Sequence, residues 1–106
     1  MIMGWVLLAI AIASEVVGTL AMRAAVSGSP WWYLLTAIGY TAAFILLPMA
    51  LRTGMPVGLS YAVWASAGIV ATAILAHFLF GERFTVITAA GIILITAGVA
   101  AIQSQH

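Results

Sequence analysis

Residues Val57 to Phe80 read VGLSYAVWASAGIVATAILAHFLF, a run with no Asp, Glu, Lys or Arg. A membrane strand would need only ~10 residues and would alternate strictly, which this run does not. In lipid every backbone N–H and C=O must be satisfied internally, so the run reads as a membrane-spanning helix. Working outward, turn signals punctuate the chain. Thr53-Gly54-Met55-Pro56 precedes the run, Gly81-Glu82-Arg83 follows it, and Ser27-Gly28-Ser29-Pro30 lies nearer the N-terminus. Three more apolar segments remain, from about Gly4 to Met22, Trp32 to Leu51, and Thr85 to Ile102. Each of the four is roughly 18–24 residues long, and a helix of ~20 residues crosses a ~30 Å hydrocarbon core.

Composition points the same way. Of the 106 residues, 66% are hydrophobic and 5% charged, and the mean hydropathy is +1.28. A soluble domain needs far more charge to cover its surface. The expectation is an all-α membrane protein, one four-helix transmembrane domain over residues 1–106. The first segment lacks a basic flank before it and carries Glu15 in its middle, so it reads as a retained span rather than a cleaved signal. A net charge of +1 gives no footprint for nucleic acid. Cysteine is absent, and no His or carboxylate cluster has ligand spacing, so no metal is expected. No nucleophile–base set and no cofactor motif is visible, so neither catalysis nor a cofactor is expected.

Glu15 is the most informative residue. It lies about eleven residues into the first segment, roughly 17 Å deep, near the bilayer midplane. An ionised, unpaired carboxylate there costs several kcal/mol. Arg23, eight residues on, is roughly 12 Å away along the axis, too far for direct pairing. A carboxyl group so placed can hold a proton or a cation, one excluding the other. The bland reading is a protonated Glu donating a hydrogen bond between helices. Leu8, Ala11, Ile12, Thr19 and Met22 share its face, small residues there leave room for a ligand, and Ser14 and Thr19 offer hydroxyls unless these bond their own backbone.

Tyr61 and Trp64 stand at i, i+3 on the third segment, with Gly68 one turn beyond. Such a pair can hold an organic cation against its π-faces, or simply pack. Tyr40, Phe44 and Leu47 form a stripe on the second segment. Trp5, Trp31, Trp32 and Tyr33 read as an interfacial aromatic belt. His77 reads as interfacial, Glu82 and Arg83 as solvated loop charges, and Pro48 as a kink within its helix. Gly91 and Gly98, seven apart, suit a close helix–helix interface in lipid. Four helices have few internal faces, so an oligomer is expected. Arg23 and Arg83 share one side of the membrane and Arg52 the other, too small a bias to fix orientation, which would permit an antiparallel dimer.

These residues resemble the small multidrug resistance (SMR) transporters over essentially the whole chain. The markers are Ala13-Ser14-Glu15-Val16-Val17-Gly18-Thr19, then Pro56-Val57-Gly58-Leu59-Ser60-Tyr61-Ala62-Val63-Trp64, then Phe80-Gly81-Glu82-Arg83, with Gly91 and Gly98 matching the glycines of a dimer-forming last helix. The resemblance implies a proton-coupled antiporter of the bacterial inner membrane, working as an antiparallel dimer with both copies of the Glu in one site. It implies Glu15 for proton and substrate, Tyr61 and Trp64 for substrate stacking, and Thr19, Tyr40 and Phe44 as supporting contacts. Its partners would be small organic cations, protons, the lipid bilayer, and a second copy or a paralogous chain. Guanidinium exporters of this family usually carry Trp three residues after the key Glu. Gly18 stands there instead, which looks like the multidrug or polyamine side. Ser66 in place of the usual Gly, Pro48, and the longer second loop depart from the pattern. Hydrophobic or quaternary-ammonium cations are the leading substrate expectation. The alternatives are guanidinium or polyamine export, or a non-transporting subunit of a heterodimer.

Overall fold

The structure, a computed structural model, describes residues 2–105. Met1 and His106, the ends of the expected domain, lie outside the described residues. Four helices follow one another: α1 (Ile2–Ser27), α2 (Trp32–Arg52), α3 (Val57–Phe80) and α4 (Val86–Gln103). All four are long and apolar enough to cross a membrane. The expected spans are therefore present, with one boundary moved. α1 continues five residues past Met22, through Arg23. A charge shortly before the Ser27-Gly28-Ser29-Pro30 turn reads as a loop residue, which is where Arg23 would fall. It sits instead at the helix end, where Ala24-Ala25-Val26 keep the helix going until Gly28.

Glu82 is not a free loop charge either. Arg23 Nε donates to Glu82 Oε2 at 3.2 Å, its guanidinium lies 5.1 Å from the Phe80 ring centroid, and Nη1 donates to Ser27 Oγ at 3.0 Å. Half-exposed, this pair contributes little stability, about 0–1 kcal/mol. It does place the end of α1 beside the end of α3. At the other side Gly4 lies against Thr53 and Met55 of the second loop. The first and third loops therefore share a side, as the alternation of four spans requires.

Gly81 ends α3 in the left-handed region at φ 68°, where a side chain would be strained. Its N–H donates to His77 O, and that of Glu82 donates to Ala76 O. His77 Nδ1 meets Glu82 O at 2.8 Å, so the imidazole clips the turn at the membrane edge. α4 starts from Thr85, whose Oγ1 accepts from Thr88 N–H. α2 runs unbroken through Pro48, which has no N–H for the carbonyl of Phe44.

The helices make a slab of 43 × 33 × 16 Å. A helix with its side chains is ~10–12 Å across, so the slab is little more than one layer thick. α2 and α3 both pack on α1, and α4 packs on α3. The closest crossing joins α1 and α2: a Cβ on Gly39 would lie 2.6 Å from Ser14 O and 3.0 Å from Gly18 N. Such bare contacts let helices approach in lipid, where dispersion replaces the hydrophobic effect. Leu8, Ala50 and Met55 form the small core, with Trp5, Leu47 and Trp64 against it. Trp5, expected in the aromatic belt, is partly buried against this core. Trp31, Trp32 and Tyr33 are exposed at the start of α2, where a belt would lie. α4 buries no residue within the chain.

Candidate functional site

Glu15 lies near the middle of α1, turned toward α3. A Cβ on Gly68 would lie 2.8 Å from Glu15 Oε2, so the carboxylate rests against bare backbone. Its other oxygen, Oε1, accepts from Thr19 Oγ1 at 2.9 Å. Thr19 Oγ1 is 2.7 Å from Tyr40 Oη on α2. A threonine hydroxyl has one hydrogen, and here it is spent on Glu15, so Tyr40 donates to Thr19. The result is a directed chain, Tyr40 to Thr19 to Glu15, spanning two helices.

Gly18 makes that chain possible. A Cβ at position 18 would sit 2.7 Å from the Tyr40 ring and 3.2 Å from the Thr36 carbonyl. The space a larger residue would fill holds the Tyr40 ring instead. No cation pairs with Glu15 among the described residues, where the one ion pair is Arg23–Glu82.

The carboxylate opens on a cavity of about 460 Å³ between α1 and α3. Glu15 and Thr19 form one wall, and Trp64, Ala65, Gly68, Ile69, Thr72 and Ala73 the other. Apart from these few polar groups the lining is apolar, the usual make-up of a pocket for a small organic ligand. The room comes from the small residues of α3. The sequence-based expectation placed it on α1 beside Glu15, but Leu8 and Ala11 are fully buried in helix packing. Ser14, expected to offer a hydroxyl, donates to Ile10 O at 2.9 Å and faces the opposite groove, toward Gly39 and Ala42.

Of the other named residues, Trp64 lines the cavity. Its Nε1 is buried without a hydrogen-bond partner, as is Ser60 Oγ one turn earlier. Tyr61 packs on Trp64 with ring centroids 5.6 Å apart, and Phe44 meets it edge-on at 5.6 Å. Both outer rings are 59% exposed and neither lines the cavity. The structure thus gathers Glu15, Thr19, Tyr40, Trp64, Tyr61 and Phe44 into one region. Gly91 and Gly98 lie apart on α4, with nothing within 4 Å of a Cβ added at either. Gly68 and Thr72 were missed as site residues. A helical projection of α3 from Trp64 places Gly68 and Thr72 at i+4 and i+8, the signal that would have found them.

The arrangement supplies one carboxyl group in an apolar cavity, hydroxyl groups behind it and the Trp64 ring beside it. A carboxylate so placed can exchange a proton for an organic cation. A family model described as Small Multidrug Resistance protein matches residues 3–95. The chain is 45% identical over 97 residues to the multidrug transporter PA4990 of Pseudomonas aeruginosa, covering 91% of this chain and 87% of that one.

Proposed function

The chain belongs to the Small Multidrug Resistance family and is a multi-pass protein of the bacterial inner membrane, and from that premise we propose that it exports hydrophobic or quaternary-ammonium cations in exchange for protons. Glu15 is the shared binding group. The observation that carries this reading is its carboxylate, opening on an apolar cavity lined by Trp64, with no cationic partner of its own among the described residues. An organic cation supplies the missing charge, and the Trp64 face adds a cation–π attraction. When the cation leaves, a proton restores neutrality, which is favoured in a low-dielectric site. Each form of the site therefore carries either proton or substrate, and exchange follows.

Tyr40 supports the multidrug side of the family over guanidinium export. Its ring occupies the space that a Trp at position 18 would need. Assembly with a second, oppositely oriented copy is part of the same reading. A slab 16 Å thick leaves the cavity open at the side, and α4 is unburied, with Gly91 and Gly98 uncovered. A second copy would close the cavity and cover those glycines.

The direct test is proton release. Tetraphenylphosphonium added to weakly buffered protein should acidify the solution, and Glu15→Gln should abolish the release. No proton release by wild type, or transport against a gradient by Glu15→Gln, would remove Glu15 from the proposed role.

A further inference from the structure

The polar groups of the cavity are nearly all committed. Thr19 donates to Glu15 and is met by Tyr40. Trp64 Nε1 is a donor only, and it is buried out of reach. Thr72 is different. It lines the cavity wall, one turn beyond Gly68. Several hydroxyls elsewhere in the helices, those of Ser14, Thr36, Ser66 and Thr96, return to carbonyls three or four residues back, while that of Ser60 is buried without a partner. Among the described residues the Thr72 hydroxyl makes no such bond, and the remaining α3 lining is Ala65, Gly68, Ile69 and Ala73.

We propose that Thr72 is a specificity-determining residue, whose hydroxyl accepts a hydrogen bond from a second polar group on the transported cation. The proposal rests on the reading of Glu15 as the cation site. Gly68 is where the carboxylate touches α3, and Thr72 lies four residues further along the same face. That separation is about 6 Å at 1.5 Å per residue, the span of an extended four-carbon chain. The favoured substrate class is therefore an amphipathic monocation with its ammonium at Glu15 and an O–H or N–H donor about four carbons away. A second full charge is disfavoured at Thr72, because a lone hydroxyl does not offset the cost of burying it.

The test compares two matched ligands, 4-aminobutan-1-ol and pentylammonium, which differ by hydroxyl against methyl. Their affinities are measured by displacement of tetraphenylphosphonium from the purified full chain at one alkaline pH, for wild type, Thr72→Val and Thr72→Ser. Valine keeps the branched shape and removes the hydroxyl, and folding is followed by helical circular dichroism. The ratio of the two affinities should shift against the amino alcohol by about two- to tenfold in Thr72→Val, the worth of one neutral hydrogen bond. Thr72→Ser should restore the ratio. A ratio unchanged by Thr72→Val overturns the assignment and leaves the Glu15 site standing. Wild type that fails to bind tetraphenylphosphonium through Glu15 overturns the cation-site reading, and this proposal with it.

Discussion

The carboxylate of Glu15 rests against the bare Cα of Gly68, where a Cβ would come within 2.8 Å of Oε2. The carboxylate and the opposing helix are thus fitted to each other with no slack. Gly68→Ala would displace the carboxylate, the far end of a flexible side chain, so the change acts on where Oε2 sits rather than on stability. Cation affinity should fall roughly tenfold with the helical content kept. Titration of the variant with tetraphenylphosphonium checks this, and undiminished affinity would mean the carboxylate does not work from this position.

Glu15 itself sets the pH dependence. Under the proposed exchange, proton and cation compete for one carboxylate, so cation affinity should be low in acid, rise with pH and then level off. If two copies share one site, the curve describes the pair. Glu15→Gln should flatten it and abolish exchange. Glu15→Asp should keep exchange over an altered pH range, since the shorter side chain no longer reaches both Thr19 and Gly68. Binding curves at a series of pH values decide the matter, and a pH-independent wild-type affinity would contradict the competition.

Trp64 is held between Phe44 and Tyr61 and lines the cavity. Trp64→Ala should weaken bulky aromatic cations by the cation–π term of about 0.5–2 kcal/mol, with more lost through packing against the core of Leu8, Ala50 and Met55. Small ammonium ions should lose less. Isothermal titration with ligands of both kinds gives the comparison. Equal losses for both would point to a general packing defect instead of stacking.

Gly98 carries the prediction about assembly. Nothing lies within 4 Å of a Cβ added there, so the side chain of Gly98→Leu starts into open space within one chain. At a close helix–helix interface the same side chain would hold two copies apart. Dimerisation in lipid, read by energy transfer between labelled chains, should drop severalfold with helix content unchanged. Full retention of dimers would place the interface elsewhere.

Local patterning is enough to place the four spans and to single out Glu15 on the first of them. A bilayer admits only segments that satisfy their own backbone, so length, apolarity and turn residues were enough for α2, α3 and α4 nearly to the residue. The exception was α1, where Arg23 looked like punctuation. Its pairing with Glu82, fifty-nine positions away, is a tertiary contact that no local pattern encodes. Glu15 also stood out unaided, because a carboxyl group in mid-membrane is costly and therefore conspicuous. The rest of the site was decided by which helix faces meet. Spacing along one helix says which residues share a face, but not which face of the next helix comes opposite. Only the packing of α1 on α3 set the carboxylate against Gly68 and opened the cavity toward Thr72, and only the packing of α1 on α2, at Gly18 and Gly39, brought Tyr40 behind Thr19.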